Sequence, residues 1–381
     1  MQFLSIHLGA ALPLDAAPER LRDGELLWID CHYDEARAWV PAVERLAGAT
    51  IFEDHLLDAE NPAHPSYFDS TQHYELIVFQ GLALPDPASE DQDVTKVRTR
   101  PTVFFVLPGC LVTVRAADSR TVPALRERLL GAGTNRQRLP ESPEALMLRL
   151  LNSMVDRYLE LRQPLTAQLE RWQRRLLDPR RPFRDWYSLL EARGELRKLE
   201  QLCEEQLDAL QEWLDERLEL APAGPDEAGA DLQEGALQPL SEALKVRAYD
   251  VVSHIERVLA HARRLQDSVE SAVQLHFSST AHRTNEIMRT LTTITAIFMP
   301  LTLLTGIFGM NFEFIPGLHA RAGFWVAIVA MAVIALILVA WFRARRFLSS
   351  PAPTRRPPRP RPPAPADEAT ARPAAGPPPA P

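Results

Sequence analysis

Asn285, Met288, Leu291, Thr295, Met299, Thr302 and Gly306 recur at three- and four-residue steps, so a helix would carry them on one face. The face begins with an amide, passes bulky apolar side chains and ends in a hydroxyl and a glycine. The run then closes on Gly309, Met310 and Asn311, a second amide. It holds no carboxylate. Amide, hydroxyl and backbone oxygens accept hydrogen bonds, which suits a cation that keeps its own water. Mg2+ dehydrates reluctantly and is commonly held through its waters. A ring of such groups at Asn311 would select a hydrated ion, while Met288, Leu291 and Met299 would form apolar collars that close by dewetting. The competing reading of Met and Leu at this spacing is plain packing.

The segment that must carry this face is long and apolar. Leu291–Phe308 is 18 residues without a charge, enough with its neighbours to cross a bilayer. Thr292, Thr293, Thr295, Thr302, Thr305 and Pro300 lie inside it, which suits a helix packed on other helices or lining water better than one bathed in lipid. Upstream, Leu244, Ala248, Val251, Ile255, Val258, Ala262, Leu265, Val269 and Ala272 follow an alternating four-three spacing, a coiled-coil-like seam. No breaker separates the seam from the apolar run. The spacing predicts one stalk-and-membrane helix over 240–310, about 100 Å long, with its membrane part near 289–309. One helix cannot enclose a pore, so several copies must form a ring, for which the seam would supply an interface.

A second span, Gly323–Phe342, is 20 residues without a charge; Trp325 and Trp341 mark its ends, and Arg343, Arg345 and Arg346 follow at once. The positive-inside rule puts that end in the cytoplasm, both termini inside and the loop 311–322 outside. Glu313 is the only carboxylate of that loop. The N-terminal stretch lacks a basic region and an apolar core, which argues against a signal peptide. The tail, 343–381, is basic and Pro-rich and is expected to be disordered, with contact to anionic lipid as one reading and an inert extension as the other.

The remaining chain divides into 1–140, a small α/β domain, and 141–239, an antiparallel helical hairpin with a linker. Glu25–Ile29, Tyr74–Phe79, Thr102–Leu107 and Cys110–Val114 read as strands, the last two joined through Pro108-Gly109 as a hairpin. Glu35–Leu46 and Val122–Leu130 read as helices. Residues 142–220 give two helices of ~40 residues separated by Pro179 and Pro182. Acid along Glu200–Glu219 reads as a solvated face.

Composition excludes several classes. Formal net charge is −8, yet the residues after Phe342 carry eight Arg against Asp367 and Glu368, so the acid is concentrated in the first 282 residues. An acidic domain beneath a membrane segment would gather cations, and the same charge also serves solubility. Cys31, Cys110 and Cys203 form no CxxC, which fits a reducing compartment. There is no P-loop, hence no ATP drive, and no nucleophile-base constellation that would make an enzyme. Nucleic acid and a resident cofactor are not expected. The loop Leu84–Val94 clusters Asp86, Glu90, Asp91 and Asp93 but lacks EF-hand spacing. His254 and His261 are weak metal candidates; imidazole favours Zn2+, Ni2+ or Co2+ over Mg2+.

Residues Asn285–Phe312 resemble the first membrane helix of the CorA-type magnesium transporter family, whose signature is Tyr-Gly-Met-Asn at this helix end. Phe308 replaces the Tyr; Gly309, Met310 and Asn311 are intact. The resemblance is close over about 245–345 and architectural over the first 240 residues. It implies an α+β, mainly helical homopentamer in the inner membrane. In it Gly309, Met310 and Asn311 would form the selectivity filter, and the seven-residue face would line the pore. Mg2+ would be both cargo and regulatory ion, with Co2+ and Ni2+ as further cargo. Asp250 would be the regulatory metal position, with Asp86, Glu90, Asp91 or Asp93 as partner. Where the family commonly has Met-Pro-Glu-Leu in the outer loop, this chain has Ile315-Pro316-Gly317-Leu318, one acid fewer. A zinc transporter of the same family and a non-conducting coiled-coil scaffold are the alternatives.

Overall fold

The computed structural model describes residues 1–83, 94–131, 139–178, 183–220, 239–310 and 322–345. The acidic loop 84–93, the proline pair near 180, the linker, Asn311, Glu313 and the tail from 346 lie outside the described residues. The chain resolves into two units, Met1–Ser278 and Ser279–Pro381.

The first unit is built on a seven-stranded sheet. Its strands are β1 (Gln2–His7), β2 (Ala10–Leu14), β3 (Leu26–His32), β4 (Tyr67–Ser70), β5 (Glu75–Leu82), β6 (Thr99–Leu107) and β7 (Cys110–Arg115), in the order β2-β1-β3-β7-β6-β5-β4. Only β3 and β7 pair in parallel; the other neighbours are antiparallel. Pro108-Gly109 does close a hairpin, with Leu107 opposite Cys110, and Gly109 takes φ 71°, a conformation that favours glycine. Alternate residues of each strand face opposite ways. Trp28, Ile77, Phe79, Phe104 and Leu111 share one core, and Leu27, Ile29, Val78, Phe105 and Val112 share the other. Both faces are therefore covered. Two short helices, α1 (Val40–Ala47) and α2 (Glu53–Glu60), cover one; α3 (Thr121–Leu130) and the long helices cover the other. The helix expected over Glu35–Leu46 is instead a 3-10 turn at Tyr33–Glu35 followed by α1, which starts where Pro41 can occupy its first turn.

The long helices are α4 (Pro143–Glu160), α5 (Arg162–Leu176), α6 (Trp186–Glu219) and α7 (Glu242–Phe308). The single ~40-residue helix expected first is two, interrupted at Leu161. Pro164 has no N–H to give the Glu160 carbonyl, so the helix restarts with that proline in its first turn. Ser142 caps α4 by accepting a hydrogen bond from the Ala145 N–H at 3.2 Å. Contacts with α7 give the directions. His254 meets Asn152, His261 meets Thr166 and Ser268 meets Gln173, so α4 and α5 run parallel to α7. Arg193 meets Glu270 and Glu200 meets Arg263, so α6 runs back.

This packing corrects the expected subunit seam. Ala248, Val251, Ile255, Val258, Ala262, Leu265, Val269 and Ala272 are buried, and the first seven share one core with α4–α6 of their own chain. Four-three spacing reports that a helix face is covered, not which chain covers it. The acidic stretch Glu200–Glu219 is also not uniformly solvated: Arg217 is 0% exposed, held by Glu75 on β5 and by Glu144 on α4.

The second unit contains the C-terminal part of α7 and α8 (Gly323–Ala344). α7 is one 67-residue helix that contains Pro300. Both helices are long and apolar enough to cross a bilayer, and only 6% and 0% of their apolar windows are buried. That exposure separates them from the core helices of a soluble protein.

Candidate functional site

The face projected from Asn285 is exposed along its length in the second unit, with Met288, Leu291 and Met299 all more than half exposed. Thr295, Met299, Thr302 and Gly306 line one open groove that ends at Met310. Asn285, Met288 and Leu291 lie on the preceding turns, outside it. Ile294, Phe298, Leu303 and Ile307 flank the groove and were not part of the expected face; they follow from neighbours one turn away on either side.

The threonines show what this face can do. Thr292 Oγ1 donates to the Met288 carbonyl at 2.8 Å, Thr295 to Leu291 at 3.0 Å and Thr302 to Phe298 at 2.9 Å. Thr293 and Thr305 are tied in the same way, to Arg289 and Thr302. Each hydroxyl has spent its one proton on its own helix; Thr293 is buried, whereas Thr295 and Thr302, which line the groove, keep only lone pairs to turn outward. Above Asn285, whose amide also donates, the groove from Thr295 to Gly306 offers acceptors without donors or full charges, which matches the outward-pointing hydrogens of a cation's water shell. Pro300 adds to this, since it cannot donate to the carbonyl of Ala296.

The helix ends at a position built for glycine. A Cβ on Gly309 would meet the Thr305 carbonyl oxygen at 3.0 Å, whereas one on Gly306 would meet nothing within 4 Å. Asn311 follows outside the described residues.

In the first unit Asp250 is exposed on α7. Its Oδ1 is 3.6 Å from Nε2 of His254, and Asp156 Oδ1 is 3.6 Å from Nδ1 of the same ring. His254 Nδ1 lies 3.1 Å from Asn152 Oδ1. Among the described residues no group of three metal-binding side chains assembles here, so Asp250 would need donors from elsewhere to hold an ion. His261 stands apart. Thr166 gives its proton to the Arg162 carbonyl, so the ring's Nε2–H must donate to Thr166 Oγ1, at 3.2 Å. Burial and the nearby Arg162 hold the His261 pKa below 6.5. All three cysteines are free and buried; burial pushes Cys110 and Cys203 up to about 12, so neither is a ready ligand.

The family model described as CorA-like Mg2+ transporter protein matches residues 23–346. The chain belongs to this family. The "Cobalt/magnesium transport protein CorA" of Thermotoga maritima is 39% identical over 99 residues, 26% of this chain and 28% of that relative. The "Divalent cation transporter CmaX" of Pseudomonas aeruginosa is 25% identical over 340 residues, 88% of this chain and 90% of the relative. Among solved structures, the complete CorA magnesium transporter from Methanocaldococcus jannaschii superposes with a TM-score of 0.64 at 19% identity, covering 90% of this chain and 98% of that one. The shared fold includes the sheet domain, the long helices and two apolar C-terminal helices. The Thermotoga match spans little more than a quarter of that relative's length, so substrate and assembly are argued below from the residues.

Proposed function

We propose that this chain is the subunit of a ring-shaped, gated channel that admits Mg2+, with Co2+ and Ni2+ as further cargo, to the cytoplasm. The observation that carries the reading is the acceptor-only groove of α7: the Thr295 and Thr302 hydroxyls bonded to their own helix, with glycine and apolar side chains around them and no carboxylate. Such a face solvates a hydrated ion without stripping it and without binding it too tightly to leave. The Asn311 carboxamides, one from each of five subunits, form the outer filter with Gly309 and Met310, and Glu313 draws cations to the mouth. The membrane potential supplies the drive. A divalent ion moving inward gains about 4.6 kcal/mol per 100 mV, more than a thousandfold in concentration ratio.

Arg343 and Arg345 follow the second span, and the Arg345 guanidinium lies 5.7 Å from the centre of the Trp341 ring, an arrangement that suits the membrane interface. That end is cytoplasmic in this reading, so the sheet domain is too, and the membrane is the plasma membrane. Cytosolic Mg2+ closes the channel by bridging Asp250 to a neighbouring subunit, whose acidic loop with Asp86, Glu90, Asp91 and Asp93 is the partner.

Flux into liposomes, with Mg2+, Co2+, Ni2+ and Zn2+ compared side by side, tests the reading. Mg2+ influx that follows the imposed potential and is lost in Asn311→Ala supports it. Influx of Zn2+ alone makes the chain a zinc transporter of the same family, and no influx of any ion makes it a scaffold.

A further inference from the structure

We propose that Gln168 and Glu195 are positioning residues of the gate: they fasten the backbone that leaves the acidic loop to α5 and α6, so that an ion held at the loop acts on both helices. The inference rests on the gate reading above, in which that loop meets Asp250 of a neighbouring subunit. In sequence the loop lies between β5 and β6. The ladder of these strands closes one step beyond them, where the Ala83 N–H donates to the Arg98 carbonyl at 2.9 Å. Residues 94–98, which follow the loop, belong to no helix or strand. They form a strap over the long helices, with Val94 buried in the same core as Leu165, Leu169 and Leu199.

A strap outside the sheet has amide groups that no strand accepts, and burial makes an unmet N–H costly. Here two helices meet them. The Thr95 N–H donates to Gln168 Oε1 on α5 at 3.2 Å, and the Val97 N–H to Glu195 Oε2 on α6 at 2.8 Å. Gln168 and Glu195 are only 3% and 6% exposed. Between the two bonds, Lys96 reaches Glu191, also on α6, at 3.4 Å.

The burial of these groups is selective. Among the described residues α5 and α6 bury four polar side chains, Gln168, Glu195, Gln206 and Arg217, and all four engage β5 or the strap. Gln206 donates to the Gln80 carbonyl at 2.8 Å, joined there by the Tyr158 hydroxyl of α4 at 3.0 Å, and Arg217 holds Glu75. β4 pairs with β5 only as far as Val78, so helices rather than a strand take the Gln80 carbonyl. Apolar contact alone lets a strap slide, whereas a buried hydrogen bond specifies one register. Gln206 and Arg217 fix the strand; Gln168 and Glu195 fix the strap, which makes them the pair that bears on the loop.

The test is flux through the full-length protein in liposomes, measured against Mg2+ on the cytosolic side. Each variant gives its flux at low Mg2+ and the Mg2+ concentration that halves it. Gln168→Leu and Glu195→Leu should each raise the halving concentration about fivefold or more and keep the parent's flux at low Mg2+. Glu195→Gln, whose amide oxygen still accepts from Val97, should close as the parent does. Lys198→Ala, which removes only the exposed partner on the other carboxylate oxygen, should do the same. Leucine variants that close at the parent's concentration, a Glu195→Gln shift as large as that of Glu195→Leu, or joint loss of flux and closure would each overturn the proposal. Asp250→Ala, run beside them, separates the two readings. If it closes as the parent does, the gate reading fails and this inference with it. If it stays open while the leucine variants close normally, only this inference fails.

Discussion

Asp250 Oδ1 lies 3.6 Å from Nε2 of His254, one turn further along α7. Asn152 Oδ1 accepts from Nδ1 of the same ring at 3.1 Å, and Nε2 faces the Asp250 carboxylate. The pair therefore offers one hard and one softer donor from a single chain. A carboxylate suits Mg2+, and imidazole suits Zn2+ or Ni2+. Asp250→Ala is expected to abolish closure by Mg2+ on the cytosolic side, while His254→Gln keeps that closure and loses any added block by Zn2+. Flux at low and high internal Mg2+, repeated with trace Zn2+, measures both. An Asp250→Ala variant that closes as the parent does would remove Asp250 from the gate.

The two glycines at the end of α7 should behave differently. Gly306→Ala points a methyl into open space, and Gly309→Ala drives one to 3.0 Å from the Thr305 carbonyl oxygen. The expectation is unchanged thermal stability for the first and a loss of about 1–3 kcal/mol, with reduced flux, for the second. Melting of the detergent-solubilised protein, followed by light scattering, reads the difference. Equal melting temperatures would show that the helix end relaxes to admit the methyl.

The membrane half of the fold was legible because its signal is one-dimensional: Leu291–Phe308 and Gly323–Phe342 are apolar runs of spanning length, and the structure makes helices of both. The central strands were legible for the same reason, as short apolar runs bounded by turns. What escaped were features set by tertiary contact. β1, β2 and β4 have mixed composition and are strands because neighbours accept their hydrogen bonds. Arg217, set between Glu216 and Leu218 in a charged stretch, looks solvated in sequence and is buried because Glu75 and Glu144 lie opposite. The seam on α7 had the right residues and the wrong partner. Asn152 and Asp156, beside His254, gave no sequence signal because their relevance depends on α4 lying parallel to α7.

His261 gives the first unit a pH dependence of known sign. Its pKa is lowered, first by burial and then by Arg162. Above 6.5 the folded and the unfolded chain both carry a neutral imidazole, and the residue contributes nothing to the slope. Between 6.5 and the lower folded value only the unfolded chain takes the proton, so stability falls as the pH falls, and it levels off below the folded pKa. His261→Gln, which can still donate to Thr166, should flatten that part of the acid limb. Thermal melts of parent and variant between about pH 5 and 7.5 decide it; parallel curves would assign the acid limb to other groups.

The buried pair Glu75–Arg217 provides the largest expected effect. Arg217 Nη2 reaches Glu75 Oε2 at 2.9 Å and Glu144 Oε1 at 2.9 Å, and Trp213 Nε1 donates to Glu75 Oε2 at 3.0 Å. The cluster ties α6 to β5 and to the start of α4. Burial pushes the Glu75 pKa up while Arg217 holds it down, so the carboxylate depends on its partner to stay charged. Arg217→Met leaves that carboxylate buried among apolar groups and should cost about 3–5 kcal/mol. Adding Glu75→Gln removes the stranded charge and should recover much of the loss, because an uncharged amide can still accept from Trp213. Denaturant melts of both variants, followed by tryptophan fluorescence, measure the difference. If the double variant is no more stable than Arg217→Met alone, lost packing rather than the unpaired charge accounts for the cost.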